Sequence, residues 1–484
     1  MADLQAGVIE SRHIDYVPEH ERKGKLWRQG PFWFLGNFQP FTVSIAFLGP
    51  VFGLNGLWTS IAGVTGILFG TLFMAAHAAQ GPRLGLPQMI QSRAQFGYRG
   101  VIIPLVATTY TFAAFIIVDT IIIKQGFHNI YGWSELLVAV AITVFSALTA
   151  IYGHDWIHRI FIALFWASLP FWIILTIGVL AHHAGHGTPI AHLGFNTAGF
   201  FAVFATGASY NITYAPYVSD YTRYLPRDSS PGAIIGAVFY GAAASPAWLI
   251  PLGAWMATQL GVYDAIAGIY HAGNATVSHT GAILAFLAVA SLVATMGMGA
   301  YSGMLSVITV MDAFKPVKTG KRSRVTIIVV FSLVCFIFNQ LLSNATTALN
   351  DSLIIMLYLL SPWTAVNLVD FYAVRHGKYA VTELFRRHGH YGEWASKGII
   401  AYFVGILVEI PFMYIPNFTN PNGAPAYYSW GSKALGGVDI SWLIGLAVAA
   451  GLYWVLTRSI DLASEQAVVA RSEAELQANP ETRN

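Results

Sequence analysis

Long apolar runs separated by short polar stretches recur through most of the chain. A helix of roughly 20 apolar residues crosses a hydrocarbon core about 30 Å thick. On that measure the pattern predicts twelve spans, at about 32–56, 57–79, 101–126, 134–153, 156–182, 197–218, 232–257, 280–311, 325–345, 350–374, 398–416 and 439–457. These runs divide the chain into a charged N-terminal segment (1–31), a twelve-helix body (32–457) and a polar, Ala/Glu-rich tail (458–484). The N-terminal segment has neither a short apolar core nor a small-residue cleavage site, so it does not read as a signal peptide.

Two spans are interrupted where a lipid-facing helix would be uniformly apolar. The first carries Gly36-Asn37-Phe38-Gln39-Pro40-Phe41-Thr42. Pro40 has no N–H and its ring clashes with the carbonyl of Gly36, so the helix is expected to unwind there. The break frees carbonyls around Gly36 and Phe38 for a cation and leaves the amides of Asn37 and Gln39 for a ligand. The sixth span repeats the feature with Ser209-Tyr210-Asn211-Ile212-Thr213-Tyr214-Ala215-Pro216. Broken helices at matching positions in two halves point to an inverted repeat with the binding site between them. Span eight is rich in small residues, including Gly297, Gly299, Ala300, Ser302 and Gly303, which permit close helix approach.

Only 10% of residues are Asp, Glu, Lys or Arg and 55% are apolar, against about 25% charged in an ordinary soluble domain. That excludes a soluble multi-domain enzyme, and the apolar content excludes charge-rich disorder. The abundant Trp, Tyr and Phe suit a membrane-interface belt. A net charge of +3 is too small to imply a nucleic-acid partner, and the single Cys335 forbids an internal disulfide or a multi-Cys metal site. Twelve spans with both ends inside put 24 of the 26 Lys and Arg on the inner side, from Arg12 to Arg483 and including Lys318. Only Lys124 and Lys433 remain outside. The positive-inside rule therefore predicts a multi-pass plasma-membrane protein with cytoplasmic termini. The outer loop with His182, His183, His186 and His192 reads as a polar, weakly charged connection, since no carboxylate is near to orient the imidazoles.

Acidic residues at membrane depth are scarcer and more telling. Asp119 lies well inside span three, where inserting a carboxylate costs about 2.5–3.5 kcal/mol, so it is a functional candidate by default. Phe115 precedes it by four residues and shares its helix face. An aromatic plate beside a hydrogen-bonding group suits a flat heterocycle, and the carboxyl is also a candidate proton carrier. The competing reading is a structural ion pair with Lys124. Glu409, just before Pro411 in span eleven, reads as scaffold; Asp351 and Asp370 fall near span ends, where water is expected. Asp220 and Arg223, at the inner end of span six, read as a gate or anchoring network.

Three stretches form a recognisable set: Gly81 to Met89 with Ser92 to Gly100, Ser219 to Tyr224 (SDYTRY), and Ser361-Pro362-Trp363 followed by Asp370-Phe371-Tyr372. The chain resembles, over about residues 25–460, the nucleobase–cation symport family of purine, cytosine, uracil, allantoin and hydantoin permeases. The resemblance implies two inverted five-helix repeats plus two further helices, alternating-access symport and no cofactor. It also implies a substrate held between aromatics of helices three and six, with amides from helices one, three and eight. Phe115 matches the helix-three aromatic, usually Trp, and Asp119 matches an amide, so a carboxylate replaces the usual Gln or Asn. Counting back from Ser219 puts Asn211 at the helix-six aromatic, with Tyr210 beside it. Gly299 falls at the helix-eight amide, leaving Tyr301 and Ser302 to compensate, and Gln39 matches the helix-one amide. Sodium-binding members use helix-one carbonyls, here at Gly36 and Phe38, and adjacent hydroxyls on helix eight. That region reads Val293-Ala294-Thr295, with one hydroxyl. Sodium requires several oxygens, so proton coupling with Asp119 as carrier is favoured.

The function expected is import of a nucleobase-like heterocycle, most simply cytosine or a purine, by symport with H+ rather than Na+. The alternatives are a cationic or amine-bearing vitamin such as thiamine, because a carboxylate favours cations, and allantoin or hydantoin. No obligatory protein partner is implied. A membrane-embedded enzyme would need clustered His, Asp or Glu with metal spacing, and a channel would need a repeated ring-forming polar motif. Neither is present in the sequence.

Overall fold

The computed structural model describes residues 14–262, 264–315, 317, 320–341, 345–415 and 424–479, with side chains of 345–347 excepted. Arg12, Lys318 and Arg483 lie outside the described residues. The first apolar run is divided into α1 (Gln29–Asn37) and α2 (Pro40–Ala46), followed by α3 (Gly56–Ala78), α4 (Ile102–Tyr131), α5 (Glu135–Tyr152) and α6 (His154–Leu180). The sixth run is divided into α7 (Thr197–Ile212) and α8 (Ala215–Thr222). Then come α9 (Pro231–Trp255), α10 (Ala265–Thr276), α11 (Thr280–Phe314), α12 (Lys321–Asn339), α13 (Ala345–Leu368), α14 (Ser396–Glu409), α15 (Ser441–Thr457) and α16 (Leu462–Ala478). A two-stranded antiparallel ribbon pairs Tyr414 with Tyr428 and Ile415 with Tyr427.

Eight helices among the described residues are long and apolar enough to cross a membrane: α3 to α6, α9 and α11 to α13. Each lies on a predicted span. The remaining predicted spans fall on the two broken pairs and on the shorter α14 and α15. The tail forms α16, which turns away from α15 by 92°.

The breaks follow from local chemistry. α1 ends at Asn37, Gln39 is extended (φ −158°, ψ 166°), and Pro40 starts α2, where a missing N–H costs nothing. Two of the released carbonyls accept from side chains. Gly36 O accepts from Gln39 Nε2 (2.8 Å) and Tyr214 Oη (3.1 Å), and Asn37 O accepts from Thr42 Oγ1 (2.6 Å). The second break is a tight turn at Thr213–Tyr214 with Pro216 in the first turn of α8.

Small residues set how closely the helices lie. A Cβ at Gly66 or Gly70 of α3 would stand 2.2 or 2.1 Å from the carbonyl oxygens of Phe204 and Ala208 on α7. The two backbones therefore touch, holding the second break against α3. On α11, a Cβ at Gly297 would meet Thr149 of α5 at 2.8 Å and one at Gly303 would meet Phe331 of α12 at 2.7 Å. The first and last described segments lie at one end of the bundle, because Arg227 pairs with Glu19 (3.1 Å) and with Glu473 of α16 (2.6 Å).

Candidate functional site

The two breaks face each other and bring together four aromatic rings. Phe41 of α2 stacks on Tyr210 of α7 at 4.9 Å with 12° between planes. Phe115 of α4 lies 5.3 Å from Phe41, 6.1 Å from Tyr210 and 5.9 Å from Tyr214. Tyr214 continues to Tyr217 at 5.3 Å. Sequence reasoning named Phe115 and Tyr210 but missed Phe41, Tyr214 and Tyr217. The available signal was the spacing Tyr210, Tyr214, Tyr217 and Tyr221, one helix face running through the break.

Gln39 is the polar hub. Its Nε2 donates to Tyr210 Oη (3.1 Å) as well as to Gly36 O, and its Oε1 accepts from Thr295 Oγ1 of α11 (3.0 Å). Thr42 Oγ1 and Tyr214 Oη also reach Tyr210 Oη, at 3.2 and 3.3 Å. Asp119 is buried one turn beyond Phe115, within electrostatic range of Tyr210, Tyr214 and Tyr217, and its Oδ1 has no hydrogen-bond partner among the described residues. Lys124 instead faces Glu135 at 3.5 Å. The result is a buried cluster of aromatic rings with one uncommitted carboxyl oxygen and an amide beside it, chemistry suited to a flat ring with a polar edge.

Other predicted residues sit elsewhere. Asn37 Nδ2 donates to Asn211 Oδ1 (2.8 Å) and Ala242 O (2.7 Å), and Asn211 Nδ2 donates to Thr71 Oγ1 (2.6 Å). These two amides thus tie α1, α3, α7 and α9 together behind the rings, and Tyr210 is the residue that faces Phe115. Phe38 packs against Trp172 and Trp248 at 5.2 and 5.3 Å. Gly299 lies along α4, where a Cβ would meet Ile116 at 3.5 Å. Ala294 is buried beside Thr295. Tyr301 accepts from Arg223 (3.2 Å) and lies under Arg324 at 5.1 Å, in a different cluster. Glu409 is buried with neither oxygen bonded among the described residues, packed against Gly445 of α15.

A family profile described as a permease for cytosine/purines, uracil, thiamine and allantoin matches residues 16–445. The chain belongs to this family. It is 34% identical over 460 residues to the putative purine-cytosine permease YxlA of Bacillus subtilis, covering 93% of this chain and 96% of that one. Among solved structures it is similar in fold to Mhp1, a nucleobase-cation-symport-1 family transporter, in a closed conformation with bromovinylhydantoin bound. That likeness has a TM-score of 0.71 at 17% identity, covering 96% of this chain and 100% of that one. The inward-facing conformation of Mhp1 matches with a TM-score of 0.68 at 16% identity, covering 96% and 99%. The protein is a membrane transporter, not an enzyme.

The marker segments of this permease meet at the end that carries both termini, away from the rings. A Cβ at Gly81 would stand 2.3 Å from Thr222 Oγ1, Asp220 Oδ1 accepts from the Gln88 backbone N–H (3.0 Å), and Trp363 Nε1 donates to Ser92 Oγ (3.1 Å). Arg223 Nη2 also donates to Tyr224 Oη (3.1 Å). Asp370 is not at a watered span end. It is buried, pairs with Arg375, and accepts from Gln95, from Tyr379 (2.7 Å) and from Tyr453 (2.9 Å). Arg375 in turn reaches Glu465 of α16 at 2.7 Å. The Arg375 guanidinium and the donors of Gln95, Tyr379 and Tyr453 compensate the buried carboxyl of Asp370, which explains why an acid survives here.

Proposed function

We propose that this permease is a secondary active importer of a nucleobase-like heterocycle, cytosine or a purine first, driven by symport with a proton. The observation that carries the reading is the conjunction, at two facing helix breaks, of the Phe41–Phe115–Tyr210–Tyr214 enclosure with an uncommitted carboxyl oxygen on Asp119. The ring stacks on Phe115, and Asp119 and Gln39 supply its polar contacts. Proton rather than sodium coupling is supported by the state of the oxygens at the breaks. Gly36 O already accepts two hydrogen bonds, and the stretch Val293-Ala294-Thr295 offers one hydroxyl where sodium requires several oxygens.

In this reading the chain crosses the plasma membrane twelve times, with two five-helix inverted repeats followed by α14 and α15, and both termini are cytoplasmic. The matched breaks and the basic loops at the terminus-bearing end support it. Two other substrate classes have a specific motive: a thiamine-like cation, because Asp119 is acidic, and a hydantoin or allantoin, because the Mhp1 structure holds bromovinylhydantoin.

The test is uptake by cells expressing the chain, using labelled cytosine, adenine, uracil, hydantoin and thiamine, with and without sodium and across pH. The expected result is sodium-independent accumulation of cytosine or adenine that collapses when the proton gradient is dissipated. Accumulation that requires sodium, or of thiamine alone, replaces this reading.

A further inference from the structure

Asp119 occupies a place where, by the resemblance, an amide is usual, and the difference between the two groups is one proton. An amide edge presents an N–H donor beside a carbonyl acceptor. A protonated carboxyl presents an O–H donor beside a carbonyl acceptor, which is the same edge. An ionised carboxyl presents two acceptors and no donor. A neutral nucleobase-like ring offers a lactam edge, N–H beside C=O, or an amidine edge, NH2 beside a ring nitrogen. Either one sets a donor next to an acceptor. Against an ionised carboxyl, one of the two contacts is then acceptor against acceptor, and burial of Asp119 makes such a mismatch costly.

We infer that the coupling proton is bound in the contact between Asp119 and the heterocycle itself, so that proton and ring are held as one unit. This rests on the substrate reading proposed above. With the proton on the Asp119 carboxyl each side offers one donor and one acceptor, and with the proton on the ring nitrogen of an amidine edge the ring offers two donors to the two acceptors of the carboxylate, so neither placement leaves acceptor against acceptor. No covalent bond changes. The ring carries no charge of its own into the site, and the proton leaves with it when the enclosure opens inward.

The surroundings of Asp119 allow this role. Its Oδ1 is buried and uncommitted. The titratable groups facing it are the phenols of Tyr210, Tyr214 and Tyr217. Of these, Tyr210 and Tyr214 are already bonded to each other and to the first break. On α4, Lys124 is turned to Glu135 of α5, and on α13 Asp351 accepts from Asn350 (3.3 Å). Binding of a proton and of a ring at one site is therefore linked, each raising the affinity for the other by the same factor.

The experiment uses the full-length protein in lipid nanodiscs, with equilibrium binding of cytosine, adenine and uracil between pH 5.5 and 8.5. For the wild type, affinity is expected to fall about tenfold per pH unit once the carboxyl is ionised, and calorimetry in two buffers of different ionisation enthalpy should show one proton taken up per ring bound. Asp119→Asn should bind the same rings with affinity independent of pH and take up no proton, while losing accumulation against a gradient. Wild-type affinity that is flat with pH, or binding with no proton uptake, overturns the inference even if the variant does not fold. Affinity that rises with pH for thiamine, with none for neutral rings, overturns it in favour of a carboxylate–cation site. Absence of saturable binding of any ring to the wild type overturns it together with the substrate reading. pH-dependent binding that is unchanged in a correctly folded Asp119→Asn protein moves the proton to another group.

Discussion

Phe115 touches the rings of Phe41, Tyr210 and Tyr214 and stands one turn before Asp119, so it is the side chain through which a flat ligand is most directly felt. An aromatic pair contributes about 0.5–1.5 kcal/mol beyond its area burial. Phe115→Ala is therefore expected to weaken equilibrium binding of the best-transported ring by about tenfold, and Phe115→Trp to preserve it. Unaltered affinity in the alanine variant would place the stacking surface elsewhere. At this scale, legibility in the sequence depended on contrast. Gln39 and Asp119 stood out because a polar residue in an apolar run is conspicuous. Phe41 did not, because one more aromatic in such a run carries no contrast. The choice between Tyr210 and Asn211 failed for a different reason. One residue turns a helix face by about 100°, and counting back from Ser219 runs across the turn at Thr213–Tyr214 that separates α8 from α7.

Elements were more legible than contacts, since an apolar run of membrane length has few alternatives to a helix. α10 escaped detection because its 12 residues are too few to register as a span. The break at Pro40 was legible because it rests on a covalent property of proline, but its consequence was not. Gln39 and Thr42 satisfy Gly36 and Asn37 locally, but Tyr214, which also reaches Gly36 O, comes from the second break, far away in sequence. The pairing of α14 with α15 gives a prediction at the same scale. A Cβ at Gly445 would stand 1.9 Å from Glu409 Oε1 and 2.6 Å from its Cδ and Cγ. Gly445→Ala should lower the thermal midpoint, with overpacking of this kind costing about 1–3 kcal/mol. Glu409→Ala in the same chain should recover most of the loss, because it removes the atoms that collide. Size-exclusion profiles after heating, followed by uptake assays on each variant, would check this. Failure of the double variant to recover would mean that the glycine serves something other than room for Glu409.

Across the whole molecule the substrate enclosure and the family's marker segments lie apart. The segments from Gly81 to Gly100, Ser219 to Tyr224 and Ser361 to Tyr372 knit the end where Glu19, Arg227 and Glu473 join both termini. Resemblance was thus easy to detect through scaffold residues, which say little about the substrate. The arrangement also gives orientation a direct test. Cys335 is buried and is the only cysteine in the chain, so a thiol introduced at an exposed site can be labelled selectively. Ala478 closes α16 at the terminus-bearing end, while Lys433 is exposed in the connection between α14 and α15. With twelve crossings and cytoplasmic termini these positions face opposite compartments. Intact cells carrying Lys433→Cys should react with a membrane-impermeant maleimide, and cells carrying Ala478→Cys should react only after lysis. The parent chain should stay unlabelled in both conditions, since its thiol is inside the bundle. The reverse pattern would invert the topology, and labelling of both variants in intact cells would require an odd number of crossings between the two positions to be abandoned.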